Sequence, residues 1–237
     1  MTATASQRES GRDEAGGSRM RRHWLRWTLA GAVVAVVLVL VAVAVVIRLR
    51  PVPEPLALPS RVAAPAGPLE GRWAPDAASI AGFRLPQTVL GLTSDAVSRT
   101  HAVTGRAVIA GDRVIKAEFR IDLTTIKAAG TQFAKSLSLR RFPDATVMLT
   151  RPVTFGHGLS TGAVVKARAA SLFTMHGVSR PLTVTLSARR DGALLEVAGQ
   201  MPVAYARWRI KAPVGFGPLG SLADRGTAEF LLVLKRR

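Results

Sequence analysis

The stretch Arg113–Thr124, RVIKAEFRIDLT, alternates between apolar and polar residues at every position after the first two. The apolar set is Ile115, Ala117, Phe119, Ile121 and Leu123, and the charged set is Lys116, Glu118, Arg120 and Asp122. A period of two places each set on its own face of an extended chain, which indicates a half-buried antiparallel strand.

Similar segments lie on both sides of this strand. Gly111-Asp112 predicts a hairpin to the preceding segment His101–Ala110, and Gly177 and Asp191-Gly192 mark further turns. The other expected strands are Ala145–Phe155, with Pro152 at an edge or a strand end, Ala163–Thr174, Leu182–Ala188, Ala193–Val203 and Thr227–Lys235. One segment, Thr131–Leu139, has the spacing of a short helix. About eight strands joined by short turns predict an all-β, antiparallel, eight-stranded barrel, with a β-sandwich as the alternative.

The apolar faces of these strands are rich in Ala, Val and Leu and poor in aromatic residues. Small inward side chains in an eight-stranded barrel leave a cavity that larger ones would fill. The alternative is an ordinary core in a chain whose overall composition is rich in alanine. Residue types alone leave both possibilities open.

Residues Thr28–Ile47 form an uncharged apolar run, TLAGAVVAVVLVLVAVAVVI. As a helix this run spans about 30 Å, the thickness of the hydrocarbon core of a bilayer. Trp24 and Trp27 precede it, and Arg48 and Arg50 follow it, as expected at the two interfaces. We therefore expect a single transmembrane helix. A cleaved signal peptide, with Ala42-Val43-Ala44 as its cleavage motif, is the alternative.

Arginines set the expected orientation. Six of them precede the apolar run, against three between the run and the next domain. The positive-inside rule then predicts a cytoplasmic N-terminus and an extracytoplasmic domain at the cell membrane. Export without cysteine and with a single anchor, in a chain rich in Arg, Ala and Val, indicates a bacterial envelope protein. The expected organisation is a disordered basic tail (1–23), an anchor with its flanks (24–50), a Pro/Ala-rich linker that forms a semi-extended stalk (51–69) and a β-barrel domain (70–237).

The predicted domain carries 24 Lys and Arg against 11 Asp and Glu, a net charge of +13. An extracytoplasmic position argues against a nucleic-acid partner. An anionic membrane surface or lipid headgroup fits better, although a coding bias towards arginine is an equally good explanation. Arg207, Arg209 and Lys211 alternate around Trp208, so we consider Arg207 and Arg209 candidate headgroup contacts and Trp208 a candidate lining residue of the barrel mouth.

Signatures of catalysis and metal binding are weak in this chain. It has no cysteine, which excludes disulfides, thiolate metal sites and a cysteine nucleophile. Its four histidines have no acidic or histidine neighbour at ligand spacing, and no nucleophile elbow or phosphate-binding glycine loop is found. We therefore expect neither a metal or cofactor nor an enzymatic activity.

Short motifs from Gly71 to Arg237 resemble the YceI-like family of exported, lipocalin-like barrels. The motifs are Gly71-Arg72-Trp73 with Asp76, Ser79–Phe83, Val103-Thr104-Gly105, Ile121–Ile126, Phe142–Val147, Thr174–Leu182, and Asp224-Arg225-Gly226 followed by Glu229-Phe230. Their order and spacing extend over about 165 residues, and the Thr174–Leu182 hairpin is the most diagnostic piece.

The resemblance implies an elongated barrel around an apolar tunnel that binds a long isoprenoid or quinone-type lipid without catalysing a reaction. We expect the larger apolar residues of the strands to line that tunnel, namely Phe83, Ile115, Phe119, Ile121, Phe173, Trp208 and Phe230. The alternative function is a structural or interaction module of the cell envelope, with a filled barrel and a basic outer face. A continuous cavity or a filled core would distinguish the two.

Overall fold

The computed structural model describes residues 17–49, 52–126, 136–211, 217 and 220–237. The chain divides into two compact units, residues 1–51 and 52–237. The described part of the first unit is one helix, α1 (Gly17–Leu49), whose side chains are described for residues 31–46 and 49. The helix includes the predicted apolar run. It also includes residues 17–23, which we expected to be disordered; the arginines and Met20 of this stretch favour helix.

Large apolar side chains along helix α1 are exposed, among them Val33, Leu38 and Val39, each about 60 % accessible. Counting only the residues whose side chains are described, no helix is long and apolar enough to span a membrane. The membrane anchor therefore stays a prediction.

The described part of the second unit is built from twelve strands. They are β1 (Gly71–Pro75), β2 (Ile80–Val89), β3 (Leu92–Thr100), β4 (Val103–Ala110), β5 (Arg113–Asp122), β6 (Asp144–Leu149), β7 (Val153–Thr154), β8 (Val165–Met175), β9 (Val178–Asp191), β10 (Leu194–Ala204), β11 (Gly220–Leu222) and β12 (Arg225–Arg236). One short helix, α2 (Gly158–Thr161), and two 3₁₀ turns, Leu123–Thr125 and Tyr205–Trp208, lie between them.

Eight of these strands close an antiparallel barrel. Their order is β1-β4-β5-β6-β8-β9-β10-β12, and β12 returns to β1. Trp73 of β1 makes the closure, since it pairs with Ala107 on one side and with Arg236 on the other. Further along, β12 pairs with β2, which pairs with β3. The predicted eight-stranded barrel is confirmed, and a sandwich of two open sheets is excluded.

Tight turns connect the long neighbouring strands, as their glycines predicted. Gly111 begins the β4–β5 turn with φ of 60°, and Gly192 lies in the β9–β10 turn with φ of 56°. The β8–β9 turn consists of His176 and Gly177, both with positive φ. Two consecutive left-handed residues match the right-handed twist of the strands that such a hairpin joins.

The barrel contains two apolar clusters that follow one another along its interior. One cluster includes Trp73, Ile109, Leu159 and Leu195, which lie near β1 and helix α2. The other includes the 3₁₀ turn with Tyr205 and Trp208. The predicted helix Thr131–Leu139 falls mostly outside the described residues; of its described part, Leu137 is buried in the second cluster.

Residues 53–69, here called the strap, lie against the outer wall of the barrel. The amide of Leu56, which is buried, donates to the Glu229 carboxylate over 3.3 Å. Further along, Pro65 forms a bridge with Gly192, and the backbones of Ala64 and Ala66 bond to Gly192 over 2.9 Å each.

Charged side chains fix the strap in place. Arg61 binds Asp191 at 2.6 Å and Glu196 at 2.5 Å, and Arg189 donates to the carbonyl of Arg61. Arg190 donates to three consecutive strap carbonyls, those of residues 66–68. We expected 51–69 to form a semi-extended stalk that holds the domain off the membrane, but residues 53–69 are bound along the barrel instead. Backbone carbonyls and amides of the strap, which a linker would leave to water, bond to the barrel.

Candidate ligand-binding cavity

The barrel encloses a cavity of about 170 Å³ whose wall is drawn from both apolar clusters. The wall is formed by inward side chains of β2, β4, β5, β6, β8, β9, β10 and β12. An engineered apolar cavity of about 150 Å³ stays dry and takes up benzene, so a space of this size and lining accepts hydrocarbon in preference to water. The barrel is therefore hollow in this conformation, which favours the tunnel over the filled core.

Small side chains create this space. Ala107, Ala117, Ala145 and Ala169 all face the cavity, each from a different strand. A larger apolar residue at any of these positions would fill part of it. The alanine-rich inward faces noted in the sequence therefore leave a cavity.

Polar groups at the wall are few. Ser171 donates to the carbonyl of Ala169 over 3.4 Å, and Glu229 directs its carboxylate to Arg99 and to the strap. Tyr205 is 1 % exposed and packs near Phe83, with ring centroids 6.0 Å apart. Burial, assisted by the charge of Asp224, raises the pKa of Tyr205 well above its usual range, so its hydroxyl stays neutral.

Five of the predicted lining residues lie at the cavity wall. They are Phe83, Phe119, Ile121, Phe173 and Phe230, from β2, β5, β8 and β12. Their contact with a ligand stays a prediction.

Ile115 was predicted to line the cavity, but it faces outward and is 48 % exposed. The register between β4 and β5 shifts here, since Val108 pairs with Lys116 while Ile109 pairs with Val114. Ile115 is the extra residue of a β-bulge, and a bulge reverses the in-out alternation beyond it. Val114 takes the inward place instead.

Trp208 was also predicted to line the barrel mouth. It is completely buried in the second apolar cluster, with its ring edge-on to Phe173 at 5.4 Å, and it is not among the cavity-lining residues that the structure describes. The proposed headgroup residues Arg207 and Arg209 flank it and are exposed. Arg207 lies over the indole ring at 5.6 Å, and Arg209 ends the 3₁₀ turn with φ of 55°.

Sequence reasoning missed Tyr205, Met175 and Met201, which all lie at the wall. The sequence held a signal for Met201 and Tyr205. Together with Val203 they follow the alternation of β10, which runs past the predicted end of this strand at Val203 to Tyr205. Met175 is the last inward residue before the β8–β9 turn. Methionine has a flexible side chain that adapts its shape to its surroundings.

Two histidines of the barrel unit, His101 and His176, bond to its backbone. Nδ1 of His101 lies 3.1 Å from the carbonyl oxygen of Ser79, and Nδ1 of His176 lies 3.3 Å from that of Trp208. Across the described residues, no group of three or more His, Asp or Glu could hold a metal ion.

A closed antiparallel barrel around an apolar cavity defines the lipocalin-like class of proteins. Within that class, the model of the YceI-like domain family matches residues 73–233, and the chain belongs to this family. No curated protein matches the chain.

Two solved structures share the fold. One is a polyisoprenoid-binding domain from Saccharophagus degradans, described as implicated in plant cell wall breakdown, with 16 % identity and a TM-score of 0.56 over 71 % of this chain and 99 % of that one. The other is BcnA of Burkholderia cenocepacia, with 14 % identity and a TM-score of 0.52 over 67 % of this chain and 98 % of that one. At these identities the likeness is one of fold.

Proposed function

We propose that this protein is a non-catalytic carrier that holds a long apolar lipid of the isoprenoid or quinone type inside its barrel. The cavity carries the proposal, because an interior lined by hydrocarbon around about 170 Å³ of space has no other evident use. The polyisoprenoid binding stated for the related Saccharophagus domain supports the same class of ligand.

Burial of hydrocarbon supplies the affinity in this proposal. Each buried methylene contributes about 0.8 kcal/mol, so a chain of isoprene units binds tightly with few polar contacts. Part of this gain offsets the ordering of the ligand on binding.

The cavity volume also predicts how the side chains of the wall respond when a ligand enters. A space of about 170 Å³ holds only a short part of a long polyisoprenoid, so the ligand must displace side chains as it enters. Met175 and Met201 are the natural ones to move, since their unbranched side chains have several accessible rotamers.

We further propose that the carrier works on the extracytoplasmic side of the cell membrane, anchored by residues 28–47. The uncharged run, the exposed apolar side chains of helix α1 and the arginines that precede the run support this location.

Native mass spectrometry of the full chain, purified from the membranes of its own host and followed by organic extraction, tests the carrier function. We expect a co-purifying apolar lipid of defined mass, released when the protein is denatured. An empty protein that also fails to take up added polyprenols would overturn the proposal. The basic outer face would then favour an interaction module of the cell envelope.

A further inference from the structure

One end of the barrel carries a concentrated set of exposed cations, here called the basic rim. It consists of Arg140, Arg141, Arg180, Arg207, Arg209 and Lys211, all exposed. We propose that the basic rim docks this end of the barrel onto the surface of an anionic phospholipid bilayer. The inference rests on the proposed function, since a carrier must meet the bilayer that supplies its ligand.

The cations of the rim come from separate chain segments that contact one another. The guanidinium of Arg141 lies 5.4 Å from the ring centroid of Phe142, and that ring packs 4.5 Å from the ring of His176. Nδ1 of His176 lies 3.3 Å from the carbonyl oxygen of Trp208, and Arg207 covers the indole. The segment before β6, the β8–β9 turn and the 3₁₀ turn after β10 thus form one surface.

Arg180 joins the same surface from β9. Its Nε donates to the carbonyl of Arg207 over 3.2 Å. Gly177, in the β8–β9 turn, has φ of 71°, and a Cβ at this position would lie 2.7 Å from the Phe142 ring. The close packing of Phe142 on this turn gives the rim a fixed arrangement, so its charges are presented together.

The rim has no acidic counterpart of its own. None of its six cations forms a salt bridge with a described residue. The acidic residues nearest in sequence to Arg141 and to Lys211 are Asp144 and Asp224, which are paired with Arg120 at 3.6 Å and with Arg225 at 3.2 Å. The strap shows the opposite arrangement, because its arginine Arg61 binds two carboxylates.

The rim lies at the end of the barrel where the second apolar cluster meets the cavity. Trp208 beneath it packs against Phe173, which lines the cavity, and the same 3₁₀ turn contributes Tyr205 to the wall. Leu137 and Met175, close in sequence to the rim residues of their segments, also face the cavity. Docking through the rim would therefore bring this end of the cavity to the lipid surface.

The layout of the charges favours a bilayer as the partner. A bilayer presents many phosphates in one plane, which suits cations spread over several segments better than a single small anion does. Each Lys or Arg near an anionic surface strengthens binding by about fivefold. Arg141, Arg207 and Arg209 together should therefore change the ratio of docked to undocked protein by about 100-fold.

The test uses the full chain in lipid nanodiscs and exploits the absence of native cysteine. One version carries a fluorophore on Ala206→Cys, at the rim, and a second carries it on Ala163→Cys, near helix α2; both positions are exposed. Phospholipids with a quencher on the headgroup report which label reaches the surface. We expect quenching of the Ala206 label in discs that contain phosphatidylglycerol, and its loss in phosphatidylcholine discs or at 0.5 M salt.

Two triple variants with equal charge complete the design. Arg141→Gln/Arg207→Gln/Arg209→Gln should abolish the quenching, while Arg106→Gln/Arg113→Gln/Arg168→Gln, on exposed strand positions elsewhere, should retain it. Equal loss in both triple variants, equal quenching of the Ala163 label, or no quenching at all would overturn the docking. Lipid extracted from the same samples reports on carriage independently. Loss of docking with lipid still bound would contradict this inference alone, and an empty protein that still docks would contradict the carrier function alone.

Discussion

The two faces of the barrel wall bury different chemistry. The inner face around the cavity carries almost only hydrocarbon, and its described hydroxyl groups are those of Ser171 and Tyr205. The outer face beneath the strap buries Glu196, Glu229 and Arg189, each 4 % exposed or less. Buried charge beneath the strap is bound by an opposite charge or by the strap backbone, and among the described cavity-lining residues Glu229 alone is charged, with its carboxylate bound by Arg99 and by the strap amide of Leu56.

Reversing this pattern on the inner face should have the largest effect. Ala169→Asp introduces an unpaired carboxylate into the cavity wall and should lower the free energy of unfolding by about 3–5 kcal/mol. Ala170→Asp, one residue further on the outward side of β8, should change it by less than about 0.5 kcal/mol. Urea titration of both proteins measures the difference. Equal destabilisation by the two changes would show that the faces do not differ as described.

The outer face should respond next most strongly when one buried charge is removed. Glu229 accepts from Arg99 over 2.9 Å, lies 3.7 Å from Arg84 and accepts from the strap amide of Leu56. Glu229→Gln leaves both arginines without this counter-charge and should lower the free energy of unfolding by about 3 kcal/mol.

The matched control for that change is Asp224→Asn. Asp224 also pairs with an arginine, but both side chains are more than 70 % exposed, so the loss should be below about 0.5 kcal/mol. A Glu229→Gln protein as stable as this control would mean that the buried cluster contributes nothing to the strap.

Acid should act on the strap through Asp191. Hydrogen bonding from Arg61 lowers the pKa of Asp191 below its usual value, with a further contribution from the amide of Ala64. A carboxylate with a depressed folded-state pKa stabilises the structure above the pKa of the unfolded chain, near 3.9, and this contribution is lost as the pH falls through the folded-state pKa. We therefore expect hydrogen exchange of the Ala64 amide to lose protection below about pH 4.

Asp191→Asn should remove most of the pH dependence of exchange at Ala64, while the amides of the barrel strands keep their protection. Protection of the Ala64 amide that falls with acid equally in the variant would assign the effect to another group. This effect should be the smallest of the three, because Asp191 lies near the surface.

The barrel was predictable because alternation is a local property. The apolar face of β5, the turn at Gly111 and the hairpin at Gly177 each follow from neighbouring residues. The cavity was predictable as one of two possibilities, since alanine-rich inward faces suit a cavity and an ordinary core equally well. Only the three-dimensional arrangement of Ala107, Ala117 and Ala169 shows the space that they leave.

The wrong predictions, for Ile115, the strap and Trp208, concern features that are set by contacts with other parts of the chain. The bulge at Ile115 depends on the pairing of β5 with β4, and the sequence of β5 alone does not indicate it. The strap has the composition of a linker, but Arg61 finds its carboxylates on a hairpin about 130 residues away. Trp208 follows a strand and lies between two arginines, a pattern that favoured a position at the barrel mouth. The 3₁₀ turn instead places its side chain in the second apolar cluster.

The most direct test of the account is lipid loading of two variants at neighbouring positions of β8. Ala169→Phe places a ring in the cavity, and Ala170→Phe places the same ring on the outward side. With both proteins purified from the same host, native mass spectrometry should find the Ala170→Phe protein loaded like the natural chain and the Ala169→Phe protein with at least about tenfold less bound lipid. Equal loading of two folded variants would contradict the claim that the lipid lies in this cavity.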